Sequence, residues 1–500
     1  MSLPGSTEPA PKGGRTTTMA LSPWNQAGPR SYFSTAHCHP LDNSKSGEAI
    51  KKIRESLDIL VIARPDAAGR ISLVQSPTQK GTMALTMDLD NDSIPLDVLH
   101  EEDTFGQTYG ELKAKGFPPS AFVHPRFWYD GELHNEDTTL PTFRVLAVVI
   151  EGGLILSYHL HHAVFDGCCM KTIFECLGSI ARGKVPAATR PSQDTSFIPY
   201  DPIETDEDLA RLDPAKFPDL DLPEFLDLPR ETRGPQAADF DLQGTGRLFR
   251  FRNDKLRELQ ALIKASDETG RTSVPTSYMC LAALTWSHVC KARSAAEVLK
   301  YRGTTPASAH LAAPPPPSMK IPVNWRGRGL FGKREEEADY FGNATYGALA
   351  TTDSAAQLFG ACGNPSALAA VVRKIEAAAE TQTGRDDVQV RTALYASVRD
   401  VSRVAWSIDP LDAGNTVVNT WRYLGGADVR WTSVPGLLDE RPEAVRRSMG
   451  AWWVTGYNMI LPARSGSEHQ ELLVMLPTTA AMEALCGDEE WMEWVDEVLE

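Results

Sequence analysis

The sequence predicts a mixed α/β chain built as two comparable lobes. Short apolar runs of strand character alternate with stretches of helical period on both sides of an acidic, proline-rich middle segment. With 500 residues, 42% of them hydrophobic, the chain can bury a sizeable core in each half. No internal repeat occurs at a period of about 20–50 residues, which excludes a solenoid or propeller.

Taken in order, residues 1–20 are polar and rich in Gly, Pro and Thr, and are expected to form a flexible arm. Residues 21–195 make the N-terminal lobe. Within it, 46–63 carries Ile50, Ile53, Leu57 and Leu60 at helical spacing, and Arg64-Pro65 ends the helix before a strand at 71–75. Residues 143–161 hold two apolar runs around Glu151-Gly152-Gly153, a hairpin pattern. Helical period resumes over 170–182 through Ile173, Phe174, Leu177 and Ile180. Residues 196–245, rich in Asp and Pro, read as an acidic crossover linker. Residues 246–500 make the C-terminal lobe. It opens on a strand at 248–251 and a helix through Leu256, Leu259 and Ile263. A second helix over 275–293 is expected to be capped by Thr272 or Ser273. The prolines at 314–317 suggest an extended loop, and 456–461 with 471–476 an antiparallel pair.

Charge and cysteine usage narrow the function. Lys and Arg number 50 against 66 Asp and Glu, so the net charge is −16. Sequence-independent nucleic-acid binding needs a basic surface and is excluded on this balance. The longest apolar run is broken at Glu151-Gly152-Gly153, short of the roughly 20 residues a membrane span needs. Residues 1–18 lack the apolar segment of an export signal, so a cytoplasmic protein with reduced cysteines is expected. The 8 cysteines include no C-x-x-C pair, and no ligand set at zinc spacing joins His159 or His161, so no metal is expected.

The most informative segment is His161-His162-Ala163-Val164-Phe165-Asp166-Gly167. It follows a predicted strand and precedes a predicted helix, a turn that can hold an imidazole over a cavity while Gly167 leaves room for a substrate. A neutral imidazole, reference pKa about 6.5, can take a proton from an alcohol or amine attacking a carbonyl. An isolated H-x-x-x-D is more often a surface ion pair. Here the doubled His, the trailing Gly and the setting argue for chemistry.

HHAVFDG is similar to the HHxxxDG box of coenzyme A-dependent acyltransferases of the BAHD type, and the likeness runs over roughly residues 20 to 500. Leu21-Ser22-Pro23 and Arg64-Pro65-Asp66-Ala67-Ala68-Gly69-Arg70 resemble the family's opening helix and strand entry. PTSYMCLAALTWSHVCKAR resembles its interlobe helix. Asn324-Trp325-Arg326, with Tyr340-Phe341-Gly342-Asn343-Ala344, resembles its paired arginine and YFGNA elements. Asn419-Thr420-Trp421-Arg422 resembles the strand before its DFGWG box. The branch most resembled is the fungal trichothecene 3-O-acetyltransferase-like one.

The resemblance implies a two-lobed, chloramphenicol acetyltransferase-like fold, with mixed sheets flanked by helices and a channel between the lobes. It implies a monomeric O-acyltransferase of fungal secondary metabolism. Acyl-CoA would be co-substrate and a small-molecule hydroxyl or amine the acceptor, with no tightly bound cofactor, nucleic acid or membrane partner. His162 would be the general base. Asp166 would face away from substrate and pair with Arg326, supported by Gly167. Asn419, Thr420 and Trp421 are the candidates to stabilise the oxyanion. His161 would pack or bond locally. Arg326, Arg328, Lys333 and Arg334 form the densest basic cluster, the last three as candidate coenzyme A contacts. Glu335, Glu336 and Glu337 beside them also suit a solvated charge run.

One box departs from the family. In place of DFGWG stands Asp428-Val429-Arg430-Trp431-Thr432, with both glycines replaced. Two other readings therefore stay open: a stand-alone condensation enzyme using carrier-protein thioesters, and a family member that has lost or changed acyl transfer. Gly327-Arg328-Gly329-Leu330-Phe331-Gly332 fits a dinucleotide fingerprint but lacks a βαβ setting. Trp452-Trp453 reads as core packing.

Overall fold

The computed structural model describes residues 15–184, 186, 193–210, 212–222, 244–270, 273–296, 316–403, 407–409, 412–452 and 456–500. Their strands form three sheets. A five-stranded sheet runs in the order Ala444–Arg446, Tyr32–Pro40, Gly153–His161, Phe143–Ile150, Leu96–His100. A seven-stranded sheet runs Thr345–Thr351, Ser318–Asn324, Thr416–Thr420, Tyr457–Ile460, His469–Leu476, Thr245–Arg252, Glu497–Leu499. A four-stranded antiparallel sheet holds Thr16–Ala20, Met83–Asp88, Arg70–Leu73 and Thr139–Pro141. Both larger sheets mix parallel and antiparallel pairs.

The hairpin at 143–161 forms as antiparallel Phe143–Ile150 and Gly153–His161. Every residue of Gly153–His161 is buried, as a strand covered on both faces requires. The helix Ser46–Ala63 turns Ile53, Leu57 and Leu60 into the core beneath this sheet. The second core lies between the seven-stranded sheet and the helices Ser277–Ala296 and Pro365–Thr381. Ser277–Ala296 buries residues all round its circumference, which places it inside the second half.

Several elements differ from the sequence expectations. Thr16–Ala20, inside the expected flexible arm, is a strand paired along its length with Met83–Asp88. Its three threonines and methionine suit an edge strand, and an adjacent strand supplied the ladder. Part of the expected acidic linker packs: Phe197, Ile198, Phe217, Leu220 and Leu222 enter an aromatic cluster with Trp24 and Trp325. Residues 211 and 223–243 of it lie outside the described residues, as do 314 and 315 of the proline run. Thr276, rather than Ser273, caps the helix at 277, its hydroxyl accepting from the Met279 N–H at 3.2 Å. Thr272 lies outside the described residues. Ala444–Arg446 pairs with Tyr32–Pro40, so the C-terminal half completes the edge of the first half's sheet. Trp452 packs on the first core, and Trp453 is outside the described residues. All eight cysteines are thiols.

Candidate active site

The strand Gly153–His161 ends at the doubled histidine, and the helix Gly167–Ala181 begins five residues later, three residues before the sequence placed it. The earlier start has a cause. The Asp166 carboxylate is the N-cap, its Oδ1 accepting from the N–H groups of Cys168 (3.0 Å) and Cys169 (3.2 Å). Gly167 opens the helix against the Leu424 side chain, whose Cδ1 would lie 2.6 Å from an added β-carbon. The room Gly167 leaves is therefore filled by protein rather than held for a substrate.

The two histidines part at the strand end. His161 is fully buried: its Nε2 donates to the Gly131 carbonyl (2.8 Å) and its Nδ1 accepts from the Ala163 N–H (3.2 Å). Burial lowers its pKa to about 4, and both nitrogens serve the turn. His162 instead is partly exposed on the wall of a cavity. Its N–H donates to the Ser31 carbonyl (2.8 Å) and its carbonyl accepts from Asn343 Nδ2 (2.7 Å), so the backbone on both sides of the ring is held. The ring sits 4.7 Å from Phe33. Burial lowers its pKa, opposed by its own carbonyl and the Asp166 carboxylate, with Arg447 pushing the same way as burial. The imidazole is thus neutral at pH 7.

Asp166 ties this turn to the segment 340–345. Its Oδ2 accepts from Arg326 Nη1 (2.8 Å), the Ala344 N–H (3.1 Å) and the Thr345 hydroxyl (3.3 Å). Burial would raise the carboxyl's pKa, but the Arg326 charge and these bonds hold it below the ordinary carboxylate range. Arg326 spends its other donors on the carbonyls of Tyr340 (2.8 Å) and Gly342 and on Asn324 Oδ1 (3.2 Å). Asn343 has a role that sequence reasoning did not assign. Its backbone N–H and side chain meet Asn25 Oδ1 (2.6 and 3.1 Å) while its amide holds His162. A β-carbon at Gly28 would stand 2.7 Å from that amide and 2.9 Å from the His162 carbonyl, so only glycine lets the segment 22–28 close over the site.

The cavity measures about 420 Å³. One wall is a face of the seven-stranded sheet, with Lys320, Pro322, Val417, Asn419 and Tyr457. Trp24, Gly28, Phe33, His162 and Asn343 form much of the rest. Of the three oxyanion candidates, Asn419 lines this cavity, its Nδ2 donating to the Tyr457 hydroxyl (2.6 Å) and its Oδ1 accepting from the Thr420 N–H (2.7 Å). Thr420 and Trp421 lie off the wall: the Thr420 hydroxyl accepts from the Arg422 N–H (3.3 Å), and Trp421 packs on Phe33 at 6.0 Å. Arg447, unnoticed in the sequence, is buried with its guanidinium 5.5 Å from the Trp421 ring and 5.7 Å from Tyr457.

Arg328, Lys333 and Arg334 do not line it. Arg328 donates to the Thr383 carbonyl (2.8 Å), and Lys333 pairs with Glu336 (3.0 Å). The positive-φ glycines 327, 329 and 332 shape a loop whose Gly329 and Phe331 N–H groups both donate to Glu337. A different cleft, of about 680 Å³, opens between the helix Gly167–Ala181 and the segments 422–429 and 463–470. Lys171, Arg182, Arg422 and Arg464 line it beside Glu175 and Asp428.

The altered box is anchored by its Asp and its Trp. Asp428 accepts from the Ser465 N–H (3.1 Å) and hydroxyl (2.6 Å), and Trp431 is buried in the first core. Arg430 reaches out to Glu440 at 3.4 Å. Among the described residues Phe117 alone of the non-glycines has positive φ, so Arg430 and Thr432 occupy backbone that does not require glycine.

A profile of the Transferase family matches residues 111–492. One of the trichothecene 3-O-acetyltransferase-like N-terminal domain matches residues 32–180. No curated protein matches the sequence. Among solved structures, F. graminearum TRI101 complexed with coenzyme A and deoxynivalenol is similar at 17% identity, covering 97% of this chain and 100% of that one, TM-score 0.75. F. sporotrichioides TRI101 with coenzyme A and T-2 is similar at 18% identity, over 96% and 99% of the two chains, TM-score 0.73. Vinorine synthase is similar at 14% identity over 98% and 96%, TM-score 0.58. These likenesses establish the fold as the one the sequence resemblance implied.

Proposed function

The chain belongs to the Transferase family, and from that premise we propose that it moves an acyl group, acetyl in the first instance, from acyl-coenzyme A to a hydroxyl or amine of a small molecule. His162 takes the acceptor's proton as its oxygen or nitrogen attacks the thioester carbon. The tetrahedral oxyanion receives a hydrogen bond from Asn419, whose amide carries a second N–H beside the one on Tyr457. The carbon–sulfur bond then breaks, and the imidazolium returns its proton to the departing thiolate. Positioned proton transfer of this sort contributes roughly 10²–10⁴-fold. Asp166 and Arg326 act as positioning residues.

The observation that carries this reading is the division of labour between the histidines. One is consumed by the turn, while the other is neutral and stands on a cavity wall with its backbone held on both sides. The cavity falls in the range of about 300–1,000 Å³ that suits a small organic ligand. The cleft beside the helix Gly167–Ala181 gathers Lys171, Arg182, Arg422 and Arg464 around one concavity of about 680 Å³, an arrangement that suits the phosphates of coenzyme A. The TRI101 structures hold coenzyme A with T-2 or deoxynivalenol, so the acceptor class carried to this chain is a hydroxylated fungal metabolite.

The test is purified protein with acetyl-CoA and an extract of hydroxylated fungal metabolites, read by free thiol and by mass. Thiol release with products heavier by one acetyl group, both absent with His162→Ala, is the expected result. Silence with every free acyl-CoA but transfer from a carrier-protein thioester would replace it with the condensation reading. Coenzyme A binding without any turnover would end the transferase reading.

A further inference from the structure

His162 is held by its backbone, and both of those bonds lead to a stretch of chain to which sequence reasoning gave no chemical role. Its N–H donates to the Ser31 carbonyl at 2.8 Å. Its carbonyl accepts from Asn343 Nδ2 at 2.7 Å, and the other proton of that amide goes to Asn25 Oδ1 at 3.1 Å. Asn25 Oδ1 also accepts from the Asn343 N–H at 2.6 Å. Segment 22–31 therefore grips the base from both sides, directly at Ser31 and through Asn343 at Asn25.

The orientation of each amide in this relay is fixed. The His162 carbonyl can only accept and the Asn343 N–H can only donate, so Asn343 turns its nitrogen toward the base and Asn25 its oxygen toward Asn343. Asn25 Nδ2 is left to donate to Gln193 Oε1, at 2.8 Å. Asn25, Asn343 and Gln193 are all buried, where a broken amide bond is not replaced by water. The packing leaves no slack either. A β-carbon at Gly342 would lie 2.9 Å from Asn25 Nδ2, just as one at Gly28 would press on the Asn343 amide. Asn25 sits in the short helix Pro23–Gln26, whose cap Ser22 accepts from the Asn25 N–H (3.2 Å) and shares a hydrogen bond with the Tyr340 hydroxyl (2.6 Å). The helix is thus docked on 340–343 through Ser22 and through Asn25, and only the Asn25 contact leads on to the base.

We propose that Asn25 is a positioning residue for the base, acting through Asn343 to fix the peptide that carries the His162 imidazole. It is not on the cavity wall and touches no reacting atom. Proton transfer from a bound acceptor depends on alignment, so a small displacement of the ring is costly. Without the Asn25 oxygen the Asn343 amide can rotate, and one of the two anchors of the base is lost. The positioning rests on the acyl-transfer reading for its meaning, but how the imidazole is held can be measured on the resting protein.

Turnover is read by steady-state acetyl transfer from acetyl-CoA to a hydroxylated metabolite. Asn25→Ala should lower kcat by about 10–10²-fold with the acceptor KM within about two-fold. Made on top of Asn343→Ala, the same change should cost nothing further, because the relay is already cut. Asn25→Asp keeps the accepting oxygen and should recover most of the lost rate. Thr392→Val removes a different bond of the same segment, the one from the Trp24 indole at 2.9 Å, and should lower the melting temperature with kcat kept. Additive losses, no recovery by Asn25→Asp, or an equal loss of kcat in Thr392→Val overturns the proposal. If Asn25→Ala does not fold, Asn25→Ser, whose hydroxyl is too short to reach Asn343, takes its place. The second readout needs no acyl donor. With isotope-labelled histidines, the His162 ring signal in the nuclear magnetic resonance spectrum is identified by its absence in His162→Ala. It should broaden or split in Asn25→Ala and keep its wild-type position and width in Thr392→Val. A ring signal that depends on Asn25 in a protein silent with every acyl donor sinks the transferase reading and leaves the positioning standing. Acetyl transfer and a ring signal both indifferent to Asn25→Ala do the reverse.

Discussion

The turn that carries His162 and the wall it faces are built on opposite plans. In the turn nearly every polar group is committed. The Asp166 carboxylate accepts five hydrogen bonds, and Arg326 joins it to the carbonyls of Tyr340 and Gly342. The wall is mostly apolar, with Lys320, Asn419 and Tyr457 set among Trp24, Phe33, Pro322 and Val417. Saturated hydrogen bonding makes the turn rigid, so an imidazole can be held for proton transfer. The sparse wall leaves substrate choice to a few polar groups. The turn supplies the base, while the wall supplies the oxyanion donor Asn419 together with the groups that choose substrate, so substitutions should sort by the role of each residue.

The largest effect short of removing the base is expected from the turn. Arg326→Met leaves the buried Asp166 carboxylate without its counter-charge, a loss of about 3–5 kcal/mol, read as a lower urea midpoint together with lost activity. An unchanged midpoint would show that the three N–H donors and the Thr345 hydroxyl suffice. Next comes Asn419→Ala on the wall, with kcat down about 10²-fold and KM for the acceptor nearly unchanged. A rise in KM alone would assign the amide to ground-state binding.

Acid should separate the regions by what is being measured. Burial lowers the pKa of His37 and His161 to about 4 and of His39 and His159 to about 3. The unfolded chain binds more protons than the folded one below about pH 6.5, so stability is full above that value and falls as pH drops toward 4. Each such imidazole costs up to about 1.4 kcal/mol per pH unit. His162 is lowered as well, so the acid limb of kcat/KM should lie below the ordinary imidazole value of about 6.5. An acid limb with its midpoint above about pH 6.5 would contradict the direction of that shift. The smallest effect belongs to the altered box. Arg430→Gly should move stability by no more than about 0.5 kcal/mol, because the side chain is more than half exposed and its backbone makes no demand for glycine.

What could be read from the sequence divides along the same line. Helix 46–63 and the hairpin at 143–161 were legible because each rests on a local period, whereas the pairing of Asp166 with Arg326, 160 positions away, was implied only by the family resemblance. The start of the helix at Gly167 was not, since the capping role of Asp166 appears only once its side chain is seen to turn back on Cys168 and Cys169. The strand Thr16–Ala20 depended on a partner at 83–88, beyond any local window. Asn343 stood in a recognised segment, but its hold on His162 spans 181 positions. Lys320 left one faint trace, a lone cation in an apolar alternation of Met319, Ile321 and Val323.

The most direct test of the central claim is the single-turnover rate of acetyl transfer by His162→Ala beside wild type, with melting temperature and coenzyme A binding measured on both. The account predicts transfer slowed roughly 10²–10⁴-fold with melting and coenzyme A binding unchanged. Transfer within a factor of about two of wild type by a folded, coenzyme A-binding variant would contradict it and move the base elsewhere in the cavity.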